Sequence, residues 1–183
     1  RKRLTAESNR DSMMLAAGQL TDAAPTAPVA DKDVLVSKNN GDSKAAASDI
    51  QTPVRSMYLP LIRGNLSPLL TSLDAADPDL LVGKRPTTNV PGQALVLLNS
   101  DPVNAWARET AERIFANHDA WPDQVAAADR DCLSRKASAS DIELANHYGG
   151  LAVDDESSSG QRLARLTDLI AAIFASTEFR MLD

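Results

Sequence analysis

The segment RSMYLPLIRGNLSPLLTSLDAADPDLLVGKRPTTNVPGQALVLLNS, residues Arg55 to Ser100, alternates short apolar blocks with turn residues and isolated arginines. It closes on the aliphatic run Ala94–Leu98. Gly83-Lys84-Arg85 lacks the spacing of a phosphate-binding loop, and no other pattern in the segment is typical of catalysis. The segment therefore indicates a kind of domain rather than a reaction.

Local signals divide this segment into elements. Val54–Leu59 alternates like a strand, and Pro60 ends it because proline has no N–H to donate to a ladder. A short helix follows, with Pro68 suited to its first turn and leucines along one stripe. Asp74–Asp79 is a polar turn. Pro91 starts a second helix whose surface is almost wholly apolar, which predicts a helix central to the core.

The rest of the chain is predicted to be mostly helical. Leu4–Leu20 forms an amphipathic helix. Val34–Val36 can form a strand that pairs with Pro53–Leu59. Other helices are Pro102–Asn117, a helix started by a capping box at Ser138–Asp141, and Gln161–Phe179. The predicted fold class is mainly α, a bundle of about six helices with a small two-stranded β-ribbon.

Length and composition favour one domain in three regions. Residues 1–20 are an N-terminal helix that packs on the bundle, residues 21–53 a low-complexity linker or insertion, and residues 54–183 the helical domain. A chain of 183 residues with 43% hydrophobic residues can bury a core. Because the chain opens into a helix at Arg1 with no initiator Met, we expect a C-terminal fragment of a longer protein.

Charge and hydropathy argue against nucleic-acid binding and against a membrane span. A net charge of -6 and a pI near 4.9 argue against nucleic acid, which would require a clustered basic face. No run of about eighteen apolar residues exists, so no membrane span is predicted in this fragment. No secretory signal is visible in the fragment.

Cys132 and the two histidines are weak candidates for chemistry. Cys132 is the single cysteine, so an intramolecular disulfide is impossible. Its spacing from Val125 and Ala128 favours a small buried hydrophobe over a nucleophile assisted by His118 or His147. The histidines lie at helix ends, and a zinc site needs three or four ligands at close spacing.

Asp74, Asp77 and Asp79 are hard oxygen ligands, but their spacing is not that of an EF-hand loop. We expect these aspartates to stabilise a turn or cap a helix rather than to bind a cation, and no metal site is predicted. There is no Gly-x-Ser-x-Gly motif. There is also no Cys-x-x-Cys-His, so this fragment is expected to bind no c-type haem. No cofactor is predicted in this fragment.

Several linked motifs occur in a fixed order along the chain. They are Arg-Ser-x-Tyr-Leu-Pro, Arg-x-Asn-Leu, Asp-x-x-Asp-Pro, Val-Gly-Lys-Arg and Thr-Thr-x-x-Pro-x-Gln-Ala-Leu-x-Leu-Leu-Asn-Ser. With Arg1–Gln19, Cys132–Leu144 and Leu166–Asp183, they resemble the domain of unknown function 1553 family. The resemblance covers most of the chain except about Thr21–Thr52. The chain departs from the family pattern at Ala137, where Pro is usual, and at Ala175, where Asn is usual.

The resemblance implies the C-terminal module of a large planctomycete surface protein. It places the chain outside the cytoplasm, in the periplasm or at the cell surface, next to cytochrome-c-like and other upstream domains of the same polypeptide. Haem would then be bound upstream, and this fragment would be a non-enzymatic structural or interaction module. The alternative is that it forms part of a polysaccharide-binding or polysaccharide-degrading site.

Arg55, Arg63 and Arg85 lie in these motifs between apolar blocks. An arginine near a core is normally bonded to a carboxylate or to carbonyl oxygens. We predict a bond from one of them, above all Arg85, to Asp74 or Asp77. The other interpretation is a cleft for a sugar or an anion. Its candidate ligand-binding residues are Arg55, Tyr58, Arg63, Asp74, Asp77 and Arg85.

Overall fold

A computed structural model describes residues 2–22, 24, 50–59, 66–148 and 159–182. This part of the chain is mainly α-helical, as the sequence predicts. Its α-helices are α1 (Ala6–Ala16), α2 (Pro68–Ser72), α3 (Pro91–Asn99), α4 (Asp101–Asn117), α5 (Trp121–Leu133), α6 (Ala139–Tyr148), α7 (Ser159–Ala175) and α8 (Thr177–Arg180). The strands β1 (Lys2–Arg3) and β2 (Met181–Leu182) form one antiparallel ribbon, and a 3-10 turn spans Ser56–Tyr58.

The core forms around α4 and α7, which make the most extensive helix contact in the described part of the chain. Pro102 occupies the first turn of α4, as predicted. The helix buries one face, made of Val103, Trp106, Ala107, Thr110, Ala111 and Ile114. Leu166, Ile170 and Phe174 of α7 are fully buried as well. The three- and four-residue spacing of these apolar positions therefore sets which faces the two helices bury.

Helix α1 packs on α4 and α5. It begins after Thr5, whose Oγ1 accepts the N–H of Ser8 at 3.1 Å. Met13 and Met14 are fully buried. The helix is shorter than the predicted Leu4–Leu20, because Thr5 caps its start and Gly18 takes a φ of +75° just beyond its end.

Serine side chains set two further helix boundaries. At the start of α6, Asp141 Oδ2 accepts the N–H of Ser138 at 2.7 Å, and Ser138 Oγ accepts the N–H of Asp141 at 3.2 Å. This is the predicted capping box. The predicted helix Gln161–Phe179 divides at Ser176, whose Oγ accepts the N–H of Phe179 and so starts α8.

The β-ribbon lies elsewhere than predicted. β1 and β2 pair Lys2 with Leu182 and Arg3 with Met181, so the ribbon joins the two ends of the chain. The predicted strand at Val54–Leu59 is wrong: Val54 makes one parallel bridge to Thr21, and a 3-10 turn follows. Side chains of α1 bond to the backbone there, which removes the need for a partner strand. Val34–Val36 lies outside the described residues.

Helix α3 is less buried than predicted. Only Gln93 and Leu97 of this apolar helix are buried, whereas Leu95 is 60% exposed and Leu98 is 42% exposed. The helix contacts α2, α4 and α7 along one face. The expectation of a helix central to the core is therefore wrong. None of the described helices combines the length and the hydropathy needed to cross a membrane.

Candidate functional site

Two of the arginines predicted to bond to Asp74 or Asp77 have other partners. Arg85 donates to Glu7 Oε1 at 2.8 Å, and Arg55 donates to Asp22 Oδ1 at 2.6 Å. The predicted bond from Arg85 to Asp74 or Asp77 is therefore wrong, because Glu7 of α1 supplies the carboxylate that accepts it. Arg63 lies outside the described residues.

Asp77 and Tyr58 are two further members of the predicted site that the structure describes. Asp77 Oδ1 accepts the N–H of Asp79 at 2.9 Å in an exposed turn, and Tyr58 is half-buried at the end of the 3-10 turn. No hydrogen bond or ion pair in the described part of the chain joins any two of Arg55, Tyr58, Asp74, Asp77 and Arg85.

Asp74 is the centre of a polar network between β1, α2 and the segment before α3. It follows α2 with a φ of +62° and ion-pairs with Arg3 of β1. Its Oδ2 accepts the N–H of Thr88 at 2.7 Å and the Thr88 hydroxyl at 2.8 Å. Burial raises the pKa of Asp74, but the bonds from Arg3 and Thr88 outweigh it and hold the pKa below its usual value. Arg3 also donates to the carbonyl of Leu73 at 3.1 Å.

Gln93 connects this network to α8. Its amide donates to the carbonyl of Ser72 at 3.0 Å and to Thr88 Oγ1 at 3.0 Å. Its Oε1 lies 3.5 Å from Nη1 of Arg180, which is buried. Arg180 Nε donates to the carbonyl of Ser176 at 3.1 Å. Burial and then the charge of Arg3 lower the pKa of Arg180. The network thus joins the first strand, two middle helices and the last helix.

Arg10 of α1 is the centre of a second network. Its fully buried guanidinium donates to the carbonyls of Ile50 at 2.8 Å, Thr52 at 2.6 Å and Val54 at 2.9 Å. Asp11 lies 3.1 Å from Arg10 and accepts both the hydroxyl of Ser56 at 2.6 Å and its N–H at 2.9 Å. Burial lowers the pKa of Arg10, and Asp11 opposes that shift. Residues 50–56 are thereby fixed on α1.

A third cluster has Arg135 at its centre. The guanidinium donates to Asp129 at 2.9 Å, Asp141 at 2.7 Å and Glu178 at 2.6 Å. The bond from Arg135, followed by bonds from Ser138, lowers the pKa of Asp141 to about 2. Burial raises the pKa of Asp129. The cluster ties the end of α5 to the start of α6 and to α8.

The chain is similar in sequence to one known protein family. The family model described as Protein of unknown function (DUF1553) matches residues 1–148. The chain belongs to the DUF1553 family. Neither the curated proteins nor the solved structures yielded a match. In this DUF1553 chain the match includes α1 to α6, whereas α7, α8 and β2 follow the matched residues.

Cys132 is poorly placed to act as a nucleophile. Cys132 packs against the core, and burial raises the pKa of its thiol to about 12, so it is not a thiolate at neutral pH. The described residues contain no group of three or more His, Cys, Asp or Glu side chains that could hold a metal ion. What the polar networks do is bond elements of the chain to one another.

Arg10 and Gln93 were not predicted as members of the networks, although the sequence around each indicates a buried polar residue. Arg10 shares a helix face with Ala6 and with Met13 and Met14, so the spacing alone places a cation among buried positions. Gln93 is one turn before Leu97 on an apolar helix, which places an amide on the buried side. Such a polar residue on an inward face predicts a bonded partner but does not say which one.

Proposed function

We propose that this DUF1553 chain is a structural and interaction module of a larger protein, and that α3 docks on a neighbouring domain of the same polypeptide. One observation carries the proposal. The outward side of α3 exposes Leu95, Val96 and Leu98, the α3 face, although this helix is apolar on nearly all sides. A helix of that composition is normally covered.

The chemistry around the α3 face matches the centre of a protein interface. From Pro86 to Ser100 the chain has no charged residue, although 24% of all its residues are charged. Interface centres are depleted of charge and rich in apolar side chains. Leu95 and Leu98 are 60% and 42% exposed, so burying the rest of each side chain would contribute about 0.6–1.8 kcal/mol. A domain with an uncharged apolar surface is therefore the partner that this face fits.

The internal networks support the structural part of the proposal. Asp74, Arg3 and Arg10 direct their bonds at other elements of the chain, and most of those bonds join residues that are far apart in sequence. Buried charges that are paired and hydrogen-bonded hold elements in one arrangement. We infer that these networks hold the elements around α3 in place, so that the exposed helix has a fixed support for docking.

The family resemblance supports the cellular context of the proposal. In this proposal the module belongs to a planctomycete surface protein outside the cytoplasm, and a cytochrome-c-like domain is its neighbour. Haem and any redox chemistry belong to that domain, and this chain holds no cofactor of its own. The module is then not itself an enzyme.

A polysaccharide site at Arg55, Tyr58, Arg63, Asp74, Asp77 and Arg85 is the alternative. The described contacts do not favour it, because Arg55 and Arg85 pair with Asp22 and Glu7 and Asp74 pairs with Arg3. Gel-retardation electrophoresis through immobilised polysaccharides tests it directly. Retardation that Arg85→Ala abolishes would favour the alternative.

The docking proposal is tested by photocrosslinking in the intact polypeptide that carries this chain. A benzoylphenylalanine replaces Leu95 on the α3 face, and a matched variant carries it at Asp123, which is exposed on α5. We expect position 95 to crosslink to another domain of the same polypeptide, the haem-bearing domain above all, and position 123 to give at most weak crosslinks. Mass spectrometry locates the products.

Two results would overturn the docking proposal. One is an absence of interdomain crosslinks from position 95, and the other is equal crosslinking from both positions. Crosslinks from position 95 to a second copy of the polypeptide would also contradict it, because the partner would then be the same protein. Crosslinks to a domain without haem would keep the docking role and overturn the identity of the neighbour.

A further inference from the structure

Among the described residues, a second exposed apolar surface lies away from the α3 face. Helices α5, α6 and α7 enclose a groove of about 310 Å³. Its walls are mainly apolar, and they include Val125, Leu133, Leu144, Tyr148, Leu169 and Ile173. Leu144 is 67% exposed and Tyr148 is 64% exposed, one helical turn apart on α6. The volume is at the small end for ligand pockets, and it suits a few apolar side chains.

The groove is acidic at one end. Asp129, Asp141 and Glu178 contribute to its lining and surround Arg135, the one guanidinium that binds them all. Three carboxylates around one cation leave an excess of two negative charges there. Glu178 is only half-buried, so this charge reaches the solvent at the groove mouth. An apolar groove with a negative end is complementary to an apolar group that carries a positive charge close by.

We propose that this groove binds an amphipathic helical segment of another protein, with apolar side chains seated between α6 and α7 and a lysine or arginine beside Glu178. The one-turn spacing of Leu144 and Tyr148 matches side chains one turn apart on the bound helix. The surface and its charge differ from those of the α3 face, so this interaction is independent of the docking role.

A second copy of the chain is disfavoured as the occupant. The chain carries a net charge of -6, so two copies repel, and the groove end adds negative charge at the point of contact. An anionic membrane surface is disfavoured for the same reason. A cationic segment of a different protein is the occupant that both the charge and the apolar walls favour.

Fluorescence anisotropy with labelled peptides and the full chain tests the proposal. The probe is an 18-residue peptide of leucine and lysine at amphipathic helical spacing, and its matched control replaces every lysine with glutamate. Leu144→Arg puts a repelling charge on the exposed groove wall, and Leu95→Arg makes the same change on the α3 face. Glu178→Gln removes one negative charge at the groove end without changing the size of the side chain.

We expect saturable binding of the leucine–lysine peptide and at least tenfold weaker binding of the glutamate peptide. Leu144→Arg should weaken lysine-peptide binding about tenfold or more, since it blocks the wall and opposes the peptide charge. Leu95→Arg should change it by less than about twofold, and Glu178→Gln should weaken it several-fold and reduce its salt dependence.

Three outcomes would overturn this assignment. The first is equal binding of the two peptides, and the second is an equal loss of binding in Leu95→Arg and Leu144→Arg. The third is concentration-dependent dimerisation in sedimentation velocity that Leu144→Arg removes, which would make a second copy the occupant. Circular dichroism at 222 nm confirms that each variant is folded before its peptide binding is compared with that of the parent.

Discussion

Replacing Arg10 with methionine should be among the most damaging single changes in this chain. The substitution keeps an unbranched apolar stem in the fully buried position but removes every donor of the guanidinium. The carbonyls of Ile50, Thr52 and Val54 then lose their bonds to α1. Asp11 keeps the bonds from Ser56 but loses its cation.

The magnitude follows from how well water can replace these bonds. The bond to Ile50 is buried, whereas those to Thr52 and Val54 are partly accessible, so each lost bond costs towards the lower end of about 1–3 kcal/mol. Together with the unpaired Asp11, we expect a loss of about 3–5 kcal/mol in the free energy of unfolding. For a chain of this length the melting temperature should then fall by roughly 6–20 °C.

Thermal unfolding followed at 222 nm measures the effect, with Arg85→Ala as the matched control. The ion pair of Arg85 with Glu7 is accessible to water, with side chains 46% and 30% exposed. Its loss should cost less than about 1 kcal/mol. The assignment of Arg10 as the anchor of residues 50–56 is refuted if Arg10→Met melts within about 2 °C of the parent. It is also refuted if Arg85→Ala lowers the melting temperature as much as Arg10→Met does.

Other predictions concern pH, thiol chemistry and the α3 face. The pKa of Asp141 is lowered to about 2, so its stabilising contribution is present at neutral pH and is lost between about pH 4 and pH 2. Asp141→Asn should therefore make the urea midpoint less dependent on pH over that range. The same pH dependence in the variant and the parent would contradict this. Cys132 should react with iodoacetamide at pH 8 far more slowly in the folded chain than in urea, and equal rates would show an open thiol. Leu95→Glu should change the free energy of unfolding by less than about 0.5 kcal/mol. Leu97→Glu, at a buried position of the same helix, should cost about 3 kcal/mol or more. Similar urea midpoints for the two variants would show that α3 does not expose the face described.

Local sequence signals determined much of the fold. Pro102 in the first turn of α4, the capping box at Ser138 and Asp141, and the apolar spacing of α4 each act within about one or two helical turns. The family is likewise readable from the sequence alone, since its model matches residues 1–148. These properties are readable because the interacting residues are neighbours along the chain.

Tertiary structure alone decided the partners of the charges, the position of the ribbon and the exposure of α3. Asp74 is bonded to Arg3, 71 residues away, and Arg85 to Glu7, 78 residues away. Such pairs form only when helices have packed and brought a particular carboxylate within reach, so residue type predicts that an arginine is bonded but not to which group. Likewise an apolar helix predicts burial, while the number of its faces that the other helices cover depends on how the whole chain packs.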